Sequence, residues 1–329
     1  MHDDASVRYR APLWLPGGHA QTIWPALYAR RFAGEAPAWR RTRHRTPDGD
    51  FIDMDWLAAP PGPGAPWLVL FHGLEGSSRS HYAQAWAHWA RLRGWRMVVP
   101  HFRGCSGEIN QAPRVYRSGD HEEVDWMLAR LSAAAAGAPL LAVGVSLGGN
   151  ALLRWAGEAG GQAARRVRAV AAVCAPVDLA AGAQAMERGF NQRVYGRMFL
   201  RSMRPKAMAK LAQYPGLFDA RRLRAVQNLR AFDEVFTAPL HGFAHADDYY
   251  RRASALPVLP DIRVPALVLN ARNDPFVPAA ILPRAAQAGR FVTLWQPAEG
   301  GHVGFPQGAP PGHVQWLPEA VGAWLGGQV

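Results

Sequence analysis

Cysteine is nearly absent from this chain, with two in 329 residues, too few for a disulfide framework. Cys174 falls in an apolar run that reads as a strand and Cys105 in a loop, so both are expected as free thiols. Lysine is as scarce: Lys206 and Lys210 are the only two, although the net charge is +12. The positive charge therefore rests on dispersed arginines in a chain rich in Ala, Gly and Pro, a pattern of coding composition rather than a phosphate footprint. No nucleic-acid-binding motif accompanies it, which sets nucleic acid aside as a partner, whereas peripheral contact with an anionic membrane surface stays open. No run is long and apolar enough to span a bilayer. The start, Met1-His2-Asp3-Asp4, is acidic and no long apolar run follows it, which argues against a secretory signal. A cytoplasmic protein is expected. The histidines are scattered without ligand spacing, so neither a metal nor another cofactor is expected.

What is abundant is apolar sequence in short runs. Hydrophobic residues make up 49% of the chain, enough for a large core. Trp39 to His44 and Phe51 to Leu57 read as two strands joined by the Thr46-Pro47-Asp48-Gly49 turn. Strand and helix then alternate. Strands are expected over 67–71, 95–101, 140–145 and 167–175, with helices near 80–93 and 120–136 and one ending near Gly160. Such βαβ alternation predicts an α/β fold with a mainly parallel sheet and helices on both faces. Residues 1–37 read as an N-terminal extension with some helix around 20–32, and 38–329 as the main domain. Between 176 and 260 the alternation stops. Helical apolar spacing, aromatics and Met186, Met198, Met203 and Met208 predict an inserted helical cap there, too long for a loop. Its methionines and aromatics suit either an adaptable pocket wall or plain packing of the cap.

The chemistry is concentrated in Gly144-Val145-Ser146-Leu147-Gly148. It follows the apolar run Leu140-Leu141-Ala142-Val143 and precedes a helical stretch from Asn150, so G-x-S-x-G sits in a strand–turn–helix context, the setting of a nucleophile elbow. A serine there is exposed on a sharp turn, and the following helix N-terminus directs free N–H groups towards a developing oxyanion. Serine alone is a poor nucleophile and needs a base and an orienting acid. Both follow in the chain. Val264 to Asn270 reads as a strand running into the loop that carries Asp274; Phe291 to Trp295 reads as a strand running into the loop that carries His302. Open α/β sheets place ligands beyond such carboxyl ends. Asp178, after Ala175-Pro176-Val177, is the rival acid, and His313, at the mouth of a closing helix, the rival histidine. The second oxyanion donor is expected from the loop His72-Gly73-Leu74-Glu75-Gly76 after the strand Trp67 to Phe71, which assigns the backbone N–H groups of Leu74 and Leu147. His72 itself reads as a packed structural histidine.

Several segments together carry a family resemblance. They are Leu15-Pro16-Gly17-Gly18-His19-Ala20-Gln21-Thr22-Ile23-Trp24-Pro25, Phe71-His72-Gly73-Leu74-Glu75-Gly76, His101-Phe102-Arg103-Gly104-Cys105-Ser106-Gly107-Glu108, Val145-Ser146-Leu147-Gly148-Gly149-Asn150, Asn273-Asp274-Pro275 and Gly301-His302-Val303-Gly304-Phe305. On these the chain resembles the YheT-like branch of the α/β-hydrolase superfamily, a group predicted to be serine esterases. The resemblance implies an α/β-hydrolase fold, with a mostly parallel eight-stranded sheet, and the triad Ser146, Asp274 and His302.

The expected activity is therefore hydrolysis of a small-molecule carboxylic ester, with a short- to medium-chain acyl group, through an acyl-enzyme intermediate. Two other readings stand beside it: an acyltransferase handing the acyl group to an alcohol with the same triad, and a non-catalytic ligand-binding module on the same fold. The intact set of Ser146, Asp274 and His302 weighs against the module.

Overall fold

The computed structural model describes residues 7–329; the acidic start Met1-His2-Asp3-Asp4 lies outside the described residues. Eight strands form one sheet: β1 (Trp39–Arg45), β2 (Phe51–Leu57), β3 (Trp67–Phe71), β4 (Arg96–Pro100), β5 (Leu140–Val145), β6 (Ala169–Val173), β7 (Ala266–Leu269) and β8 (Val292–Trp295). Their order is β1-β2-β4-β3-β5-β6-β7-β8. β1 and β2 pair antiparallel, β2 meets β4 antiparallel, and every pairing from β4 through β8 is parallel. The expected mostly parallel sheet is thus what forms. The hairpin turns where the sequence places it, with Gly49 at φ +80° and its N–H donating to Thr46 O at 3.0 Å. β1 is the exposed edge, and its arginines protect it: Arg41 and Arg43 each reach across to β2 and grip Asp55 and Asp53.

The central strands are apolar on both faces because both faces are covered. In β3, Trp67, Val69 and Phe71 join one core while Leu68 and Leu70 join the other. The first core takes α3 (His121–Ala135) and α4 (Leu147–Ala159) through Val124, Leu128, Leu152 and Trp155. The second takes α2 (His81–Arg93) and a closing helix (Trp316–Gly326) through Trp86, Trp89, Val321 and Leu325. α2 stops at Gly94, whose φ of +67° supplies the left-handed cap that ends the helix.

The first helix, α1, spans Gly17–Leu27 rather than 20–32. It ends early because Arg30 is drawn into a parallel bridge with His313: Arg30 N–H donates to Gly312 O at 2.9 Å and Val314 N–H to Arg30 O at 3.1 Å. Between β6 and β7 the chain leaves the sheet in a helical excursion. It contains α5 (Leu179–Met186), α6 (Arg197–Gln213) and α7 (Ala246–Ala253), with shorter helical turns between them. Two of those turns, Gln192–Gly196 and Asp233–Thr237, are π-helical. The closing helix is α8. Among the described residues, no helix is long and apolar enough to cross a membrane.

Candidate active site

β5 delivers Ser146 into a sharp turn before α4. Its backbone sits at φ +53°, ψ −118°, outside the regions an L-residue favours, and Ser146 N–H is tied to Val173 O at 2.8 Å. Such a conformation costs roughly 1–3 kcal/mol and persists only when the surroundings enforce it. Here they do. A Cβ at Gly144 would lie 2.4 Å from Gly148 O, and a Cβ at Gly148 would lie 2.5 Å from His72 O. The glycines let strand and helix close on one another, which leaves the serine side chain no course but outward.

The loops after β7 and β8 bring Asp274 and His302 to that serine. His302 Nδ1 donates to Asp274 Oδ2 at 2.8 Å, and His302 Nε2 lies 3.0 Å from Ser146 Oγ. The first bond fixes the tautomer, so Nε2 is the nitrogen left to accept the serine proton. Asp274 is held as an acceptor on its other side too: Oδ1 takes the Phe276 N–H at 2.7 Å and the Val277 N–H at 3.2 Å. The Phe276 ring stacks on the His302 imidazole with centroids 4.1 Å apart, which fixes the ring plane. The rival groups are employed elsewhere. Asp178 caps α5, accepting the Ala181 N–H at 3.1 Å. His313 lies in the bridge to Arg30 and faces Gln315 N–H with Nδ1.

The residues that hold the histidine loop itself have no role in the sequence reading above. Three successive N–H groups of that loop end on three side chains: Gly300 on Gln21 Oε1 at 2.9 Å, Gly301 on Asn273 Oδ1 at 3.0 Å and His302 on Thr22 Oγ1 at 2.8 Å. Asn273 Nδ2 in turn donates to Gln21 Oε1 at 2.9 Å. The segment read as an N-terminal extension therefore packs directly on the site. The available signal was Gln21 and Thr22 themselves, two adjacent polar residues in a mostly apolar helical stretch; both are buried.

The loop after β3 presents its backbone to the same space. The N–H groups of Gly73, Glu75 and Gly76 have acceptors in Tyr82 Oη, Tyr116 Oη and Gly73 O. Among the described residues, those of Leu74 and Leu147 have none, and both residues line the cavity at Ser146. Glu75 holds a left-handed φ of +57°. Its carboxylate accepts from Tyr116 Oη at 2.8 Å and from Lys206 Nζ of α6 at 2.9 Å, so the turn is clamped from two sides. His72 is structural as expected: Nδ1 donates to Gly73 O at 2.8 Å and Nε2 accepts from Phe102 N–H at 3.0 Å. Burial pushes its pKa down to about 3, which keeps it neutral.

Above Ser146 the excursion encloses a cavity of about 190 Å³, walled by apolar side chains including Leu179, Met186, Phe199, Met203, Phe236 and Phe276. Of the four methionines considered for that wall, Met186 and Met203 line it. Met198 is 54% exposed, and Met208 packs behind the wall in the cluster of Leu200 and Phe232 without lining the cavity. Residues five apart on a helix point about 140° apart, so 198, 203 and 208 cannot share one face of α6. Both cysteines are free and buried. Cys174 Sγ, Asp274 and His302 place ligand-type atoms within 4.8 Å of one another, the one such group among the described residues, but the His302–Asp274 hydrogen bond already joins two of the three.

Comparison with known proteins fits this architecture. The family described as alpha/beta hydrolase fold matches residues 66–309. YheT of Escherichia coli (strain K12), a candidate esterase by its name, is 41% identical over 310 residues, covering 93% of this chain and 89% of that protein. Phospholipase ABHD3 of Mus musculus is 28% identical over 318 residues, covering 94% of this chain and 76% of its own. Among solved structures, the Pyrococcus furiosus esterase Pf2001 superposes with a TM-score of 0.53 at 16% identity, over 92% of this chain and 97% of its own, a likeness of fold. The chain belongs to the α/β-hydrolase superfamily, in its YheT-like branch.

Proposed function

We propose that the protein hydrolyses carboxylic esters, with Ser146 as nucleophile, His302 as base and Asp274 as the group that orients the imidazole. The observation that carries this reading is the unbroken line Asp274–His302–Ser146, at 2.8 and 3.0 Å, ending on a serine at φ +53°. Ser146 Oγ attacks the ester carbonyl as its proton passes to His302 Nε2. The carbonyl oxygen becomes an oxyanion and meets the N–H groups of Leu74 and Leu147, which need no rearrangement to receive it. His302 then protonates the leaving alcohol, and the acyl group stays on Ser146. Water enters, gives its proton to His302 and releases the acid, restoring the serine. No step calls on a metal or organic cofactor.

Residues 176–260 act as the cap that receives the acyl group, a reading supported by the apolar cavity between α5, α6 and the Ser146 turn. An acyl chain of short to medium length suits a cavity of about 190 Å³. The free, buried thiols Cys105 and Cys174 suit the cytoplasm. The test is Ser146→Ala: the protein should fold and lose ester hydrolysis by about three orders of magnitude or more. A serine-directed phosphonate should label Ser146 in the parent and leave the variant untouched. Labelling at a different serine would overturn the assignment.

A further inference from the structure

The cavity wall is mostly apolar, and its charged residues other than Asp233 are held in ion pairs: Arg103 with Asp50 and Glu123, Arg117 with Asp120, and Lys206 with Glu75. Asp233 opens the π-helical turn Asp233–Thr237 and lines the cavity beside Phe232 and Phe236. It lies deep in the protein, yet its side chain keeps some accessible surface, and the space beside it is the cavity. Its Oδ2 accepts the Tyr250 hydroxyl at 2.7 Å, and no arginine, lysine or histidine forms an ion pair with it among the described residues. Burial raises its pKa to about 6. Holding a buried acid without an ion-pair partner is costly, and packing alone would be served better by leucine. The residue is not part of the triad, the oxyanion loop or the histidine-loop clamp.

We propose that Asp233, with Tyr250, forms a polar subsite inside the cavity that accepts a hydrogen bond from a hydroxyl group of the ester substrate. This rests on the hydrolase reading and specifies its substrate class as hydroxyl-bearing esters. The cations that line the same cavity are already taken by other carboxylates, so none of them neutralises Asp233. With Tyr250 on Oδ2 and the Thr237 hydroxyl also beside the carboxylate, Asp233 still has lone pairs for one more neutral donor, since an ionised carboxylate offers about four acceptor sites. A purely apolar chain passing Asp233 leaves that capacity unmet, and a hydroxyl at the right carbon meets it. In an all-apolar cavity the same hydroxyl would be a penalty, which gives the proposal a sign as well as a size.

The experiment compares straight-chain p-nitrophenyl alkanoates with counterparts in which a hydroxyl is moved one carbon at a time. A second arm compares methyl and glyceryl esters of one acid. The readout is the ratio of kcat/KM, hydroxylated over plain, which does not depend on how much folded enzyme is present. In the wild type one hydroxyl position, or the glyceryl ester, should win by about tenfold. Preference in the first arm puts the hydroxyl on the acyl chain, preference in the second on the alcohol. Replacing both polar groups, Asp233→Leu with Tyr250→Phe, should reverse the ratio in favour of the plain ester. If that pair does not fold, Asp233→Asn, which retains an acceptor for Tyr250, should still lower it. Wild-type preference for the plain ester at every position in both arms, or a hydroxyl preference that survives the double substitution, would overturn the subsite. Hydrolysis of the plain ester and its loss in Ser146→Ala is a separate result, so failure of the subsite and failure of the hydrolase reading are distinguishable.

Discussion

The sheet-borne loops and the helical excursion solve different problems, and they are built differently. At the strand ends, position is imposed by backbone. Ser146 is held by its strained φ and by glycines that admit no side chain, and the histidine loop has three successive N–H groups each taken by a named acceptor. In the excursion, shape is imposed by side chains. Short helices and two π-helical turns pack Leu200, Phe232 and Phe236 into a core of their own. It touches the rest of the protein at several polar points, the bonds of Ser118 to Tyr249, Asn150 to Ala253 and Asn191 to Pro275 included. Both lysines of the chain are among them: Lys206 reaches Glu75, while Lys210 is fully buried and donates to Asn110 O, Ala112 O and Gln213 Oε1 at 2.6, 2.9 and 2.8 Å. On the proposed reading, chemistry belongs to the first region and selectivity to the second, and the two differ in tolerance. One should fail in all-or-none fashion, the other by degrees.

The largest effect should come from the rigid region. Asp274→Asn keeps the volume but offers an amide where His302 Nδ1 needs an acceptor, so the imidazole turns to the wrong tautomer. A fall in kcat of roughly four orders is the scale set by another triad enzyme. Asp178→Asn, at the cap of α5, should leave kcat within a few-fold and touch only helix stability. Steady-state kinetics on one activated ester decides between them, and a reversed ranking would move the acid to Asp178.

How much of this was legible follows the same divide. The strands were readable because a doubly covered sheet writes itself as uninterrupted apolar runs, as in Leu140 to Val145. Ser146 was readable because it ends such a run, and Asp274 and His302 because each lies in the loop that follows a strand. The clamp by Gln21, Thr22 and Asn273 was not, since side chain to backbone bonds between residues more than 250 apart, such as Thr22 and His302, leave no periodic trace. Nor could the sequence tell which methionines face inward, because that depends on how α6 is rotated against the body.

An intermediate effect should appear where the two regions meet. Lys206→Met frees one side of the Glu75 clamp while Tyr116 still holds the other. The Leu74 N–H then loses some of its aim at the oxyanion, a group that forms only during reaction. The expected outcome is a fall of about tenfold in kcat for long and short esters alike with KM nearly unchanged, and partial recovery in Lys206→Arg. A rise in KM confined to long esters would mean that Lys206 acts only through the cavity wall it lines, and would remove the link between excursion and oxyanion loop.

The smallest and most graded effect belongs to the excursion alone. Met203 and Met198 lie on one helix, α6, five positions apart, and only Met203 lines the cavity, while Met198 is 54% exposed. Shortening Met203 to alanine should deepen the pocket, and enlarging it to tryptophan should make it shallower. Each methylene gained or lost in apolar surroundings is worth about 0.8 kcal/mol, or roughly fourfold in kcat/KM. The optimum along a p-nitrophenyl ester series should therefore move to longer chains in Met203→Ala and to shorter ones in Met203→Trp. Acetyl ester hydrolysis, which draws on the strand-end loops and little else, should change far less. Met198→Ala serves as the control on the same helix and should leave the whole profile in place. Should Met203 and Met198 variants shift the profile equally, α6 would be acting through its stability rather than its inner face. Should Met203 variants slow acetyl and longer esters in equal proportion, the wall would be structural, and the division of labour between sheet and excursion would not hold.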